Sequence, residues 1–451
     1  MRHVTGLLTD LYQLTMAAGY FESGKADEVA TFELFFRRLP RYRNFVLAAG
    51  LEQVVEYLQN LHFEDEEIRY LRSLRQFQRV SPAFFDALRS LRFNGDLFAM
   101  AEGTPIFAGE PFLTVRAPLI EAQIVETYLL ATVGFQSLIA TKAARMVEVA
   151  GGRAVVDFGT RRAHSPEAGV LAGRASYIGG CVGTSNTETG FRYGIPVFGT
   201  AAHSWIQAFE TEREAYQRLQ NLLGDATVYL IDTYNTVQGA KLAASLGRPL
   251  WGVRLDSGNL VELSRAVREI LDAAGLQDVK IMATSDLNEY KILEFAAARA
   301  PIDAFGVGTD LATSTDSPNL GVVYKLVELE GRVTAKFSED KHTLPGAKQV
   351  FRFDDHDVIA CSWECLGCGQ DEPQARALLR PVMLEGKLIE PLPDCGAARE
   401  TAAASIKRLP MAIRSLFDTD QHYRVEHSPE LLALYEKAQN ENGLLRHRHA
   451  D

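Results

Sequence analysis

Short apolar runs alternate with segments of helical periodicity in the middle of the chain. The runs lie at residues 154–157, 177–179, 195–199, 228–232, 250–255, 280–284 and 303–308, with a candidate eighth at 321–327. Amphipathic segments such as 205–223 and 260–274 separate them. This alternation is typical of βαβ units and a parallel sheet. Seven or eight such units in succession favour a (βα) barrel over an open sheet.

The regions on either side of these units have a different pattern. Before them, apolar spacing predicts a helix over 7–21, a strand over 29–36 and a long helical stretch over 117–150. After about Lys325, turn residues and charges dominate to Gly369, and a strand-like run follows at 379–384. We therefore predict three parts. These are an N-terminal α/β domain over 1–130, a (βα) barrel over 131–330, and a C-terminal segment over 331–451 that packs back on the first domain.

Composition narrows the function classes. Of the 451 residues, 47% are hydrophobic and 23% are charged, which predicts a folded protein of two to three domains. The net charge of −11 argues against a broad nucleic-acid-binding surface but leaves room for a local pocket for small anions. The five cysteines form no disulfide framework, and the pair Cys365 and Cys368 has no second pair to complete a zinc site. No apolar stretch reaches 18 residues, so we expect a cytoplasmic protein that does not enter the membrane.

Polar and glycine residues cluster where the predicted barrel strands end. The clusters are Asp157-Phe158-Gly159-Thr160-Arg161-Arg162, Gly183-Thr184-Ser185-Asn186, Gly199-Thr200-Ala201-Ala202-His203-Ser204, Asp232-Thr233-Tyr234-Asn235, Arg254-Leu255-Asp256-Ser257-Gly258, Ser285-Asp286 and Gly306-Val307-Gly308-Thr309-Asp310. Any one of these residues could be only a helix cap. Seven clusters that include three arginines and a histidine are better explained by an active site, because barrel enzymes place catalytic groups at this edge.

Two further features indicate phosphate chemistry. The Gly306-Val307-Gly308-Thr309 turn could let backbone N–H groups approach an anion, although a tight turn alone would look the same. A stretch of lysines follows in an otherwise acidic chain, and these are either solvated or point charges for phosphates. The lysines are Lys325, Lys336, Lys341 and Lys348.

The motifs in this order resemble those of the nicotinate phosphoribosyltransferase family. They begin with Thr9-Asp10-Leu11-Tyr12, include the clusters that contain Phe158, His203, Asp256 and Gly308, and end with a lysine-rich segment over 336–352. The resemblance implies an irregular α/β barrel of the type II phosphoribosyltransferase kind plus an α/β domain built from both chain ends. It also implies the synthesis of nicotinate mononucleotide and pyrophosphate from nicotinate and phosphoribosyl pyrophosphate, as the first step of NAD salvage from nicotinate. ATP would be hydrolysed alongside with Mg²⁺ as cofactor, through a transient phosphohistidine, in a homodimer with shared active sites.

The resemblance also implies a role for individual residues. His203 matches the phosphorylated histidine, and Asp256 matches a carboxylate near the ribose and Mg²⁺. Matches to nicotinate-binding residues are Tyr12 (from the partner subunit), Phe158, Arg161, Ser185, Thr200 and Arg254. Matches to residues that bind phosphoribosyl pyrophosphate or phosphate are Gly258, Ser285, Gly306, Gly308, Thr309, Lys325, Lys336, Lys341 and Lys348. The chain departs from the family at Asn259, where an aspartate is common, and this puts direct metal ligation by that position in doubt.

Three alternatives remain open at this point. The related nicotinamide phosphoribosyltransferase carries an acidic residue at the place of Ser185, where a serine instead suits the carboxylate of nicotinate. A barrel lyase acting on a sugar phosphate would explain the phosphate loop but would not need His203 or Asp256. A non-catalytic binding protein would have no need to keep all of these polar groups.

Overall fold

The structure is a computed structural model that describes residues 4–336, 343–367, 374–417 and 422–448, the last seven of these by backbone alone. The chain forms two compact units. The first contains residues 1–137, 319–393 and 404–451, and the second contains residues 138–318 and 394–403. The second unit therefore ends near residue 318, earlier than the predicted barrel boundary of 330.

A seven-stranded sheet is the centre of the first unit, and all of its neighbouring strands are antiparallel. In spatial order the strands are Arg332–Val333, Val322–Leu329, Val29–Phe36, Leu113–Pro118, Asp96–Ala99, Arg380–Leu384 and Lys387–Leu388. Seven of the eight residues of Val29–Phe36 are buried, in register with Val322–Leu329 on one side and Leu113–Pro118 on the other. This sheet joins segments from both ends of the chain, because the strand over 322–329 pairs with the strand over 29–36.

A second sheet in the first unit comes from the C-terminal part of the chain. Its strands are, in order, Arg376–Ala377, Lys348–Arg352, His356–Cys361 and Arg424–His427, and a separate pair joins Val46–Leu47 to Pro105–Ile106. The helices of this unit are Leu11–Glu22, Leu51–Gln59, Asp65–Ser73, Arg75–Phe77, Pro82–Ser90, Leu119–Ile124, Met411–Arg414 and Pro429–Arg448. Two of the four boundaries between the units fall within further helices, Glu126–Ala150 and Cys395–Arg408.

A six-stranded parallel sheet is the centre of the second unit. Its strands are, in order, Gly183–Thr184, Ala154–Asp157, Ala304–Val307, Lys280–Ala283, Gly252–Leu255 and Val228–Leu230. The intervening helices are Thr160–Arg162, Pro166–Ile178, Thr187–Tyr193, His203–Gln207, Glu212–Leu223, Gly224–Ala226, Thr236–Leu246, Leu260–Ala273, Glu289–Ala297 and Thr309–Ala312. Every residue of Val228–Leu230 and Ala304–Val307 is buried, which explains the continuous apolar runs in the sequence.

The predicted mixture of helices with a parallel sheet is confirmed, and five of the predicted runs contain strands of that sheet. Three runs were assigned wrongly. Residues 177–179 end the helix Pro166–Ile178, and residues 195–199 contribute one isolated bridge between Val197 and Thr184. Residues 321–327 do form a strand, but in the antiparallel sheet of the first unit. Runs this short have no periodicity that separates a strand from the end of a buried helix, and they carry no information about the pairing partner.

Candidate active site

The carboxyl ends of the parallel strands lead into loops whose asparagines cap the following helices. Asn186, Asn235, Asn259 and Asn288 each accept a hydrogen bond from the backbone N–H three residues later. Capping therefore explains part of the polar pattern at this edge, as expected for βα loops. It also explains Asn259, whose side-chain oxygen caps Leu260–Ala273 at 3.4 Å.

A cavity of about 440 Å³ opens among these loops. It is lined by five of the six residues predicted to bind nicotinate, which are Phe158, Arg161, Ser185, Thr200 and Arg254. The sixth, Tyr12, lies in the first unit on the helix Leu11–Glu22 and is half exposed, so its place beside the substrate ring stays a prediction. The five predicted residues that line this cavity contribute one aromatic side chain, two guanidinium groups and two hydroxyl groups, and Phe198 and Thr187 add a second ring and a third hydroxyl.

Backbone hydrogen bonds fix the two residues that follow the first strands. Phe158 donates its N–H to the carbonyl of Val307 at 2.6 Å, and Ser185 donates its N–H to the carbonyl of Asp157 at 2.8 Å. The ring of Phe158 lies against Gly306, where a Cβ atom would come within 2.6 Å of the ring. Gly306 therefore makes room for Phe158, and this accounts for the glycine without the phosphate contact predicted for it.

Arg254 is held by three hydroxyl or carboxylate partners. Its Nε donates to Thr284 Oγ1 at 2.9 Å, its Nη1 to Thr200 Oγ1 at 2.8 Å, and its Nη2 to Asp256 Oδ1 at 2.8 Å. The side chain of Arg254 is only 12% exposed. An arginine held on several sides presents its charge in a fixed direction, which suits recognition of an anion.

Asp256 remains ionised in this setting. Burial opposes its charge, but the hydrogen bond from Thr284 and the positive charge of Arg254 together lower its pKa below the ordinary value. Its Oδ1 accepts from both Arg254 and Thr284, whereas its Oδ2 lies 3.7 Å from Nε2 of His203. One carboxylate oxygen is therefore left to interact with a substrate or a metal ion.

His203 stands at the start of the short helix His203–Gln207, with its side chain 42% exposed. Its Nδ1 is 3.1 Å from the hydroxyl of Thr233. If Nδ1 donates its proton to this hydroxyl, Nε2 keeps a free lone pair. Nε2 is also the nitrogen nearer to Asp256.

The loops predicted to hold phosphates have backbone conformations that are rare elsewhere. Ser285 and the following Asp286 both have positive φ angles, of 93° and 47°, although neither is a glycine. Such strain concentrates at binding sites. Gly258 also has a positive φ, of 84°. Thr309 is exposed and follows Gly308, where an added Cβ would meet no atom closer than 3.7 Å, so the loop leaves space beside its backbone.

Of the predicted phosphate-binding lysines, Lys348 is already fully bonded. Its Nζ lies 2.8 Å from Glu33 Oε2 and donates to the carbonyls of Leu344 and Gly346, with the side chain 4% exposed. An ammonium group has three protons, so none remains for a phosphate. The prediction for Lys348 is therefore corrected to a structural role. Lys325 lies on the strand Val322–Leu329, and Lys336 is exposed. Both lysines belong to the first unit. Lys341 falls outside the described residues.

Several side chains that bear on the site were not predicted to do so. Asp157 is fully buried and accepts from Thr184 Oγ1 at 2.7 Å and from the N–H of Gly159 at 2.8 Å, which ties two neighbouring loops together. Burial raises the pKa of Asp157, and these two bonds oppose the rise. Asp232 accepts from the N–H of Asp256 and from the hydroxyl of Ser257. Their place in the strand-end clusters was the available signal.

No group of three or more histidine, cysteine or carboxylate side chains within the described ranges is arranged to hold a metal ion. Cys368, the second member of the cysteine pair, lies outside those ranges. The free oxygen of Asp256 nevertheless fits the usual mode of Mg²⁺ binding, in which one or two carboxylates act together with substrate phosphates. Across the same ranges, no helix is long and apolar enough to cross a bilayer.

A parallel α/β unit that holds a fixed arginine at a cavity, with an ionised aspartate and a histidine on the neighbouring loops, is typical of an enzyme that acts on small anionic substrates. Comparison with known proteins identifies the family. The sequence profile of the nicotinate phosphoribosyltransferase N-terminal domain matches residues 7–134, and that of the nicotinate phosphoribosyltransferase family matches residues 153–350. The chain therefore belongs to the nicotinate phosphoribosyltransferase family, whose enzymes act in NAD synthesis from nicotinate.

Individual relatives agree with this assignment. The chain is 45% identical to nicotinate phosphoribosyltransferase pncB2 of Mycobacterium tuberculosis over 457 residues, which cover 100% of this chain and 95% of that protein. It is 33% identical to the nicotinate phosphoribosyltransferase of Homo sapiens, with 95% of each chain covered. The crystal structure of human nicotinic acid phosphoribosyltransferase superposes with a TM-score of 0.84 over 95% of this chain and 99% of that one, at 31% identity. The predicted family and the type II phosphoribosyltransferase fold are confirmed.

Proposed function

We propose that the protein transfers the phosphoribosyl group of phosphoribosyl pyrophosphate to nicotinate, with ATP hydrolysis coupled to the transfer through phosphorylation of His203. The observation that carries the proposal is the 440 Å³ cavity, which gathers Phe158, Arg161, Ser185, Thr200 and Arg254. Each kind of group suits one part of nicotinate. A ring face can stack on the pyridine, and guanidinium and hydroxyl groups can donate to its carboxylate.

Nicotinate binding divides between the two arginines. Arg161 is exposed, so its guanidinium is free to move onto the substrate carboxylate. Ser185 can donate its hydroxyl proton to the same carboxylate, because only its backbone is committed, to Asp157. Arg254 is fixed by Thr200, Thr284 and Asp256, and it adds positive charge on the side of the cavity that leads to Asp256.

Asp256 suits the step in which the bond between the anomeric carbon and the pyrophosphate oxygen breaks and a bond to the pyridine nitrogen forms. Positive charge develops on the ribose ring as pyrophosphate leaves with the bonding electrons. An ionised carboxylate stabilises that charge, and the lowered pKa of Asp256 keeps the carboxylate ionised. Asp256 Oδ2 is also the atom that would hold Mg²⁺, which would neutralise part of the pyrophosphate charge when bound.

His203 suits phosphoryl transfer from ATP. Its exposed ring can attack the γ-phosphorus through Nε2, so that the N–P bond forms as the bond to ADP breaks. Water later cleaves the N–P bond and releases phosphate. Thr233 would hold His203 in the tautomer that carries its proton on Nδ1. Asp256 would stabilise the positive charge of the phosphorylated ring until that proton leaves. A phosphoryl group on His203 would lie beside Asp256, which couples the ATP step to the transfer site.

We further propose that the protein is a cytoplasmic homodimer in which Tyr12 of one subunit completes the site of the other. The support is that Tyr12 is half exposed on a unit separate from the cavity and matches a ring-stacking residue of the family. Burial is the main cause that raises the pKa of Tyr12, and the charge of Glu126 adds to it, so the phenol stays neutral at physiological pH. A neutral ring suits stacking on an anionic pyridine.

The test is pyrophosphate release from phosphoribosyl pyrophosphate, measured with nicotinate or nicotinamide and with or without ATP. We expect release that depends on nicotinate and is stimulated by ATP. Incubation with γ-³²P-ATP should label the native chain in an acid-labile, base-stable way. His203→Ala should abolish the label while keeping some phosphoribosyl transfer, and His422→Ala, at an exposed histidine of the first unit, should label normally. Equal labelling of His203→Ala would contradict the phosphohistidine, and no response to nicotinate would contradict the function.

A further inference from the structure

A second basic cavity lies in the first unit, built entirely from residues of that unit. Its volume is about 490 Å³, within the range of small-molecule sites. Three arginines line it, which are Arg352, Arg376 and Arg408, and among the described residues of its lining Asp354 is the one carboxylate. This concentration of positive charge is unusual for a chain with a net charge of −11.

Arg352 and Tyr423 form a rigid wall of this cavity. Arg352 is 12% exposed, and its Nε and Nη2 bind the fully buried carboxylate of Asp357. Tyr423 donates its hydroxyl to the same carboxylate at 3.2 Å, and its ring stacks on Phe107 with centroids 3.9 Å apart. These bonds leave Nη1 of Arg352 without a protein acceptor in the described part of the chain, so one edge of a fixed guanidinium remains free to donate.

The other two arginines, Arg376 and Arg408, carry positive charges close to one another and to Arg352. Within the described residues, Arg376 and Arg408 make no ion pair, and both side chains are exposed at the cavity. Burial and the neighbouring charges of Arg352, Arg408 and Arg380 lower the pKa of Arg376. Positive groups that repel one another in a partly desolvated place are stabilised when an anion joins them, and arginine binds phosphate through paired N–H groups.

We propose that this cavity, which we call the arginine cavity, binds the phosphate group of a small molecule at a site separate from the transfer site. Arg352 supplies a pre-oriented N–H donor. Arg376 and Arg408 supply positively charged guanidinium groups that bind the anion. Ser405 adds a hydroxyl on the same wall as Arg408. The volume exceeds the needs of a single phosphate ion, so a nucleotide can fit as well as inorganic phosphate. The proposal does not depend on the identity of the substrates at the transfer site.

Calorimetric titration of the full-length protein can test this, with inorganic phosphate and adenosine monophosphate as separate probes. The transfer site itself binds phosphates, so each probe is titrated into the native chain and into three variants. The first variant, Arg376→Gln with Arg408→Gln, removes the unbalanced charge of the arginine cavity. The second, Arg376→Lys with Arg408→Lys, keeps the charge but loses the paired donors. The third, Arg69→Gln, removes a similar exposed charge from the helix Asp65–Ser73 as a matched control.

For one class of sites, we expect the dissociation constant to rise at least tenfold in the double glutamine variant. The double lysine variant should give an intermediate value, and the Arg69→Gln control should give the native value. Weakening for phosphate alone identifies inorganic phosphate as the ligand, and weakening for both probes identifies a phosphorylated nucleotide. Identical isotherms in the native chain and the double glutamine variant would overturn the proposal. Because both arginines are exposed, we expect the variants to have the same unfolding temperature as the native protein, and this temperature is measured first. Nicotinate-dependent pyrophosphate release tests the transfer site separately. If no such release were observed, the conclusion about the arginine cavity would not be affected.

Discussion

Two arginine–aspartate pairs, one in each unit, contain the same groups in different surroundings. Arg254 gives Asp256 one hydrogen bond and shares its other donors with two threonine hydroxyls. Arg352 gives Asp357 three, and Tyr423 adds a fourth. Asp256 is 29% exposed and one of its oxygens accepts no hydrogen bond from the described residues, whereas Asp357 is completely buried with both oxygens bonded.

The difference shows that the number of uncommitted atoms, and not the presence of a charged pair, distinguishes a chemical site from a structural one. A buried carboxylate whose two oxygens are both bonded mainly holds elements together, and removing its partner is costly. A pair with spare atoms at the carboxyl edge of a parallel sheet can meet a substrate. The predictions below compare residues of the transfer site with residues of buried ion pairs.

The largest expected effect concerns two buried lysines. Lys142 is 1% exposed and lies within 2.9 Å of the carboxylates of Glu289, Asp310 and Asp316, and Lys348 is paired with Glu33. Replacing either by methionine leaves carboxylates without their cation, so each change should lower the free energy of unfolding by about 3–5 kcal/mol. Denaturant titration measures this loss.

The two lysines should differ in their kinetics. Asp310 directly follows Thr309, so Lys142→Met should also raise KM for phosphoribosyl pyrophosphate several-fold among the molecules that remain folded. Lys348→Met should leave that KM within about twofold, as expected for a structural lysine. A large rise in KM for Lys348→Met would restore the phosphate role that the sequence suggested and would break the comparison.

The next effect concerns the choice of pyridine. Ser185→Asp should lower the ratio of kcat/KM for nicotinate over nicotinamide by roughly tenfold to a hundredfold, or about 1–3 kcal/mol. The substrate carboxylate would meet a like charge across the cavity, and water entry or protonation would limit the repulsion. Ser185→Asn has the same size without the charge and should change the ratio much less. Equal ratios in the two variants would show that Ser185 does not face the pyridine substituent.

The smallest effect is a pH dependence of stability. Burial and the nearby charge of Asp357 raise the pKa of Glu110 well above its ordinary value. Its contribution to stability is therefore fully present below the unfolded pKa and is lost as the pH rises through the folded pKa. Glu110→Gln should reduce the fall in the free energy of unfolding between the unfolded and the folded pKa of Glu110, by up to about 1.4 kcal/mol per pH unit.

Asp256 should behave in the opposite way, because its pKa is lowered. Its contribution is present above the unfolded pKa and is lost as the pH falls through the folded pKa, so Asp256→Asn should flatten only the acid side. Unfolding free energies of both variants between about pH 2 and pH 9, from urea titration, cover both windows, because an ordinary aspartate titrates near pH 4 and the folded pKa of Asp256 lies lower. A loss of stability in the same pH direction for both groups would contradict these assignments.

The sequence was sufficient to predict the parallel sheet and most of the cavity, because both depend on local rules. A strand is apolar, its carboxyl end is polar, and parallel strands bring those ends to one edge, so Phe158, Ser185 and Arg254 could be placed together. The division of the chain at residue 318 could not be predicted in this way. It depends on the pairing of the strand over 322–329 with the strand over 29–36, about 300 positions earlier.

Charged residues that act through distant partners were the main failures. Nothing near Lys348 in the sequence shows that Glu33 will take its charge, so a buried lysine looked like a phosphate ligand. Lys142 interrupts the apolar part of the helical stretch that the sequence predicts over 117–150. A charge inside such a stretch was the signal that should have prompted a search for carboxylates, because a buried ammonium needs them. The packing of Phe158 on Gly306 was likewise not predictable from local sequence, since the ring follows another strand, and the phosphate contact of Gly306 stays a prediction.

The most direct test of the central claim compares Arg254→Lys with Arg352→Lys in one set of preparations, measuring kcat/KM for nicotinate and the free energy of unfolding for each. Both changes keep the charge and remove the planar donors. We predict that Arg254→Lys lowers kcat/KM about a hundredfold, or about 2.7 kcal/mol, and lowers stability by less than about 1 kcal/mol. Arg352→Lys should lower stability by about 3 kcal/mol and change kcat/KM less than about threefold per folded molecule. If the two variants lost activity and stability in the same proportion, the distinction between a chemical and a structural pair would be contradicted.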